Sequence, residues 1–251
     1  MKISSKYSIA CRSFLIAIAL YLTAIISTPV ALAQDSSPSY YREKRIHNPD
    51  GIGKYYMGRE IAKIMGHQAM GWLERESRQR EEKPDLTVEN LDLEADDVVA
   101  DIGAGSGYFS FRMAQQVPKG KVYAVDIQPE MLSAIASRQK DRQVENIETV
   151  LGAEDNPKLP PESIDLAFMV DAYHEFAYPR EMMEGIVEAL KPGGRVVLLE
   201  YRKENPMIMI KPLHKMTQKQ VKKELKAVGL KWDKTKQFLP EQHFLVFSKP
   251  A

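Results

Sequence analysis

Cysteine is nearly missing from these 251 residues: the one copy, Cys11, lies ahead of the first apolar run. Beyond it there is no disulfide, no thiol nucleophile and no thiolate metal ligand, which fits an oxidising compartment without requiring one. Cys11 is also misplaced for a lipoprotein cysteine. Charge of one sign is lacking too. Lys and Arg number 35 against 34 Asp and Glu, a formal net charge of +1. No nucleic-acid partner is expected from that balance. There is no internal repeat and no low-complexity tract, which excludes a solenoid. Hydrophobic residues make up 44% of the chain, enough for a proper core in about one domain.

The one long apolar run is at the start. Lys2, Lys6 and Arg12 form a basic region, Phe14 to Ile26 is apolar apart from Thr23, and Ala31-Leu32-Ala33 has the pattern of a cleavage site. This is the layout of a secretory signal peptide over residues 1–33, with cleavage expected after Ala33. An exported, periplasmic protein is the expectation. The alternative is an uncleaved inner-membrane anchor, because Phe14–Ala33 approaches spanning length; a membrane partner is expected only in that case. Loss of the three basic leader residues takes the formal charge from +1 to −2.

Residues 34–54 are polar and read as a linker or lid strap. Ile61, Ile64, Met65, Ala69, Trp72 and Leu73 then recur at helical spacing, which predicts a pre-core helix. Arg75 to Lys83 reads as its solvated end, stopped by Pro84. Linker and lid helix together fill residues 34–84. From residue 85 to 251 the chain alternates. Strands are expected at Val98–Asp101, Lys121–Asp126, Glu148–Leu151, Asp165–Val170 and Arg195–Glu200. Helices are expected at Tyr108–Val117, Glu130–Gln139, Arg180–Leu190 and Gln218–Val228. Strand–helix alternation implies an α/β fold, a Rossmann-like parallel sheet with helices on both faces. Thr217 and Gln220 have capping-box spacing before the last helix, and Gly229 sits where a C′ glycine belongs. Two closing strands are expected near Leu230–Phe238 and His243–Ser248.

The chemistry-bearing segment is Val98–Tyr108, VVADIGAGSGY: a strand, an acidic residue and glycine at every second position. A dinucleotide fingerprint places its third glycine where this chain has Tyr108, so the loop is poor for a pyrophosphate. It suits a phosphate-free cofactor lying along the backbone at Gly103, Gly105 and Gly107, with Asp101 able to receive an ammonium group. The alternative is a tight turn without a ligand. Asp126 ends the next strand, nineteen residues after Gly107, where a carboxylate can accept both ribose hydroxyls; its other reading is a helix N-cap. Glu154 follows the third strand and can meet an adenine amino group, or stand as a solvated loop acid.

These segments, DIGAGSGYF, VYAVDIQPEML, LGAED, MVDAYHEF and LKPGGRVVLLEY, resemble a class I S-adenosylmethionine (SAM)-dependent methyltransferase from about Asp96 to Ser248. The resemblance implies a seven-stranded sheet with one antiparallel strand near its edge, and SAM as cofactor. It implies that Gly103, Gly105 and Gly107 line the methionine part, that Asp126 binds the ribose with Ile127 beside it, and that Ala153 and Glu154 flank the adenine. The lead-in DGIGKYYMGREIAKIMG resembles a group of predicted exported methyltransferases. Asp171-Ala172-Tyr173-His174-Glu175-Phe176 follows strand four and is expected to face the transferring methyl group. His174 is the candidate general base, with Asp171 or Glu175 orienting it or binding substrate. The alternative is that His174 packs locally and caps a backbone carbonyl. This loop is not Asn/Asp-Pro-Pro-Tyr, which argues against methylation of DNA adenine.

Tyr55 and Tyr56 are candidates to shape the substrate pocket or to pack. Nine lysines between Lys211 and Lys236 read as a solvated helix face. No Cys/His cluster has zinc spacing and no metal is assigned; a divalent ion on Asp171 and Glu200, as in catechol-type methyltransferases, is the metal alternative. The expected function is methyl transfer to a small-molecule acceptor through O, N or S. The rival is a catalytically silent binding module for a nucleoside-like ligand.

Overall fold

Residues 40–250 are described by the computed structural model; the expected leader and its cleavage site lie outside the described residues. The described chain opens with three short antiparallel strands, β1 (Tyr41–Glu43), β2 (Gly51–Tyr56) and β3 (Arg59–Ala62), paired in that order. Tyr56 faces Arg59, and the two residues between them, Met57 and Gly58, have φ of 47° and 103°. A two-residue turn with both φ positive matches the twist of a hairpin and favours glycine.

Here the structure departs from the expected pre-core helix. Ile61 and Ala62 are buried strand residues, and Gly66 is extended. Helix appears only as a 3-10 turn at His67–Ala69 and a single turn, α1 (Met70–Leu73). The apolar residues that imitate a helical period serve another purpose: Ile64, Met65, Ala69, Trp72 and Leu73 line a cavity. The lid is therefore a hairpin with short helical turns. The charged run also folds partly inward. In and after α2 (Arg78–Glu81), Arg78 and Glu82 are 5% and 1% exposed and joined by a 2.6 Å Nε–Oε2 bond. Pro84 ends that run and opens α3 (Pro84–Glu89), where its missing N–H leaves no helical bond unmade.

Seven strands form the central sheet: β4 (Val98–Ile102), β5 (Lys121–Asp126), β6 (Ile147–Leu151), β7 (Ile164–Val170), β8 (Leu190–Tyr201), β9 (Lys231–Lys236) and β10 (Gln242–Ser248). Their order is β6-β5-β4-β7-β8-β10-β9. Strands β4 to β8 are mutually parallel, and β10 runs antiparallel to both β8 and β9. The sequence dictates this layering. Side chains alternate faces along a strand, so Phe168, Val197, Phe244 and Val246 join one core layer while Ala167, Met169, Leu198 and Leu245 join the other. Helices α4 (Ser110–Gln116), α5 (Pro129–Arg142), α6 (Pro179–Ala189) and α7 (Gln218–Lys226) connect the strands. The Thr217 side chain accepts from Gln220 N at the start of α7, and Gly229, with φ 86°, follows its end. The chain builds outward from β4 to β5 and β6 on one side and to β7 and β8 on the other. The loops after β4 and β7 therefore meet at a topological switch point, where α/β sheets place their ligands.

Candidate functional site

Backbone geometry shapes the loop after β4. Gly103, Gly105 and Gly107 have φ of 75°, 55° and 78°, a left-handed conformation that costs an L-residue about 1–2 kcal/mol. A Cβ on Gly103 would lie 2.8 Å from Ala172 Cβ, and one on Gly105 2.6 Å from Leu73 Cδ1. Gly105 N donates to Asp126 Oδ2 and Gln128 N to Oδ1, both at 2.9 Å. Burial pushes the Asp126 carboxyl above its ordinary value, against the pull of these backbone donors. Each oxygen keeps a lone pair beyond its backbone donor. Gly103, Gly105, Asp126, Ile127 and Glu154 all line one cavity.

Three other expected cofactor residues stand behind that surface. Asp101 accepts from Ser110 Oγ at 2.6 Å, and burial raises its carboxyl to about 6. Gly107 packs against Phe111 and Ile135. Ala153 pairs with Asn156 in an isolated bridge.

The loop after β7 supplies the facing wall. Asp171 has φ 49°, a strained backbone of the kind that clusters at functional sites. Its Oδ2 accepts from Gln242 Nε2 at 2.7 Å, while Oδ1 is buried without a partner among the described residues. Burial, with the carboxylates of Glu82 and Glu200 nearby, holds its carboxyl well above the usual range. His174 is 2% exposed and does not cap a backbone carbonyl through its ring. Nδ1 lies 2.6 Å from Glu200 Oε2 and Nε2 lies 3.1 Å from His214 Nδ1. Burial drives the His174 imidazole down and the Glu200 carboxyl up, so neutral forms of both are favoured. Glu175 Oε1 is 3.3 Å from His214 Nδ1, and Glu175 Oε2 accepts from Met65 N. Asp171, His174, Glu175 and His214 share the cavity with the glycine loop.

Residues that carried no sequence signal hold this arrangement. Arg59 on β3 donates through Nε to Glu224 at 2.8 Å and through Nη1 to the carbonyl oxygen of His174 at 3.1 Å. Glu224, an acid among the α7 lysines, is buried and also accepts from Tyr173 and Gln220. Gln128 clamps the lid, accepting from His67 N and donating to Met65 O. His214 stands forty residues from His174, with nothing in its spacing to connect the two. Tyr56 is buried against Tyr41 and Tyr55 bonds Glu60; neither lines the cavity.

The cavity measures about 980 Å³, near the top of the roughly 300–1,000 Å³ range of small-molecule sites. Its lining suits SAM, the cofactor the sequence resemblance implies. The glycines leave room that a Cβ would fill, Asp126 offers paired acceptor oxygens for a ribose, and carboxylates at Asp126 and Glu154 would repel a phosphate.

Comparison with known proteins agrees with this geometry. Residues 93–243 match the family model described as a methyltransferase domain, and the chain belongs to that family, the class I SAM-dependent methyltransferases. Among solved structures, a SAM-dependent methyltransferase from Aquifex aeolicus shares the fold at a TM-score of 0.70, with 22% identity, over 74% of this chain and 100% of that one. An uncharacterized methyltransferase-like protein of Schizosaccharomyces pombe is 27% identical over 59% of this chain and 55% of its own length. A ubiquinone/menaquinone biosynthesis C-methyltransferase of Pseudomonas putida is 30% identical over 50% of each chain. The chain thus spans about half the length of these two relatives.

Proposed function

We propose that this protein transfers a methyl group from SAM to a small-molecule acceptor with an apolar body. The observation that carries the reading is the convergence on one cavity of the glycine loop, Asp126 and the Asp171–Glu175 loop. The apolar body is supported by the cavity's edge, where Ile52, Ile64, Trp72 and Met209 are 40%, 47%, 51% and 95% exposed while lining it. The Pseudomonas putida relative named above for quinone biosynthesis is in keeping with such an acceptor.

SAM, when bound, supplies a methyl group already activated on a sulfonium. The chain's own work is then positional. Gly103 and Gly105 admit the cofactor backbone-close, Asp126 holds the ribose, and Glu154 flanks the adenine. Leu73 and Gln128 fasten the lid over the loop and exclude water. Asp171, which lines the opposite wall, orients the acceptor. Alignment of this kind lowers a barrier by about 7–11 kcal/mol. Incubation of the full chain with methyl-labelled SAM and metabolite extract should transfer label to a compound of low molecular mass. Label confined to SAM and its breakdown products would count against the reading.

We also infer export, on the composition of residues 1–33. Among the described residues no helix is long and apolar enough to cross a membrane. N-terminal sequencing of protein from cells should begin at Gln34; a chain that retains its leader would contradict cleavage.

A further inference from the structure

His174, Glu175 and His214 make a group that the roles given to the glycine loop, Asp126 and Asp171 leave unused. Nε2 of His174 and Nδ1 of His214 are 3.1 Å apart, and Glu175 Oε1 lies 3.8 Å and 3.3 Å from them. A point equidistant from these three atoms falls about 2.0 Å from each, the length of a Zn–N or Zn–O bond. One ligand atom from each of the three side chains thus lies close enough to the others to share a single ion.

The surroundings are built for the same purpose. A ligating histidine almost always gives its second nitrogen to a carboxylate or carbonyl, which fixes its tautomer and orientation. Glu200 does this for His174: Oε2 is 2.6 Å from Nδ1, and Oε1 accepts from His174 N at 3.2 Å. Arg59 holds the carbonyl of the same residue at 3.1 Å. His174 is thus fixed at ring, N–H and C=O.

We propose that His174, Glu175 and His214 bind one divalent transition-metal ion of the zinc class in the cavity wall, with Glu200 as the positioning residue. Two imidazole ligands select against magnesium and calcium, which prefer all-oxygen sites. Three protein ligands leave a position open toward the cavity, as in catalytic rather than structural zinc sites. On the methyltransferase reading, that position takes an oxygen or sulfur atom of the acceptor.

The test uses the full chain stripped with a chelator. Calorimetry should show one Zn²⁺ per chain, Mg²⁺ should not compete, and Co²⁺ should give the visible bands of a tetrahedral site. His214→Ala, at a partly exposed position, should weaken Zn²⁺ binding at least tenfold, and Glu200→Gln about 10–100-fold. SAM binding, measured on the same samples, checks the fold of each variant. Absent Co²⁺ bands, or equal Zn²⁺ affinity in His214→Ala, overturns the metal site. Zn²⁺ bound as expected by a chain that ignores SAM overturns the methyltransferase reading and leaves the metal site standing.

Discussion

At the residue scale, Asp101 shows how burial marks a group that composition alone leaves ordinary. Its carboxyl is raised from 3.8 to about 6, chiefly by desolvation. Between those values the folded state holds a proton that the unfolded chain has lost. Stability from this group is therefore full below about pH 4 and falls as pH rises through about 6. Asp101→Asn, which keeps an acceptor for Ser110, should stabilise the cofactor-free protein by about 3 kcal/mol at pH 8 and about half that at pH 5. Denaturant unfolding at the two pH values checks this; a difference that does not change with pH would contradict it. Gly105 makes a second residue-scale case. Gly105→Ala meets both the left-handed φ and Leu73 Cδ1. It should cost about 1–2 kcal/mol and speed proteolysis around Leu73, where the lid rests on the loop. Unaltered proteolysis would mean that Leu73 does not hold the lid.

At the element scale, the small N-terminal sheet and α7 are tied together through one buried pair. Arg59 and Glu224 have side chains 10% and 0% exposed. Arg59→Ala leaves Glu224 buried without its cation and should cost about 3–5 kcal/mol in urea unfolding; a loss below about 1 kcal/mol would show that Tyr173 and Gln220 satisfy Glu224 alone. This tie also explains what the sequence made legible. The central strands could be read because apolar side chains alternate between two cores, and α7 because Thr217 and Gly229 mark its ends. The pre-core segment misled because Ile61 through Leu73 has helical spacing for cavity lining and strand burial. Its true signal was Gly58 after Tyr55-Tyr56, a hairpin turn. In the site, Gly103, Gly105 and Asp126 were visible because backbone approach and strand-end position leave a local pattern. His214, Arg59 and Glu224 were not, since long-range packing alone brings them to His174.

At the scale of the whole molecule, one fold carries two kinds of wall around one cavity. The β4–β5 side presents glycine backbone and the Asp126 carboxylate; the β7–β8 side presents Asp171, His174 and Glu175, backed by Glu200. The lid strands and turns cover both, held by Gln128, Arg59 and the buried Arg78–Glu82 pair. On the proposed function, cofactor and acceptor belong to different loops of a single sheet edge, so each can be perturbed separately. His174→Ala should lower turnover while leaving SAM affinity within about twofold, since binding and chemistry then rest on different residues. The most direct measurement is calorimetric titration of SAM into the full chain and into Asp126→Ala. The expected result is one SAM per chain in the parent and a loss of affinity of about 100-fold or more, roughly 2.7 kcal/mol, in the variant. Equal affinity in the two proteins would contradict the placement of SAM on this loop.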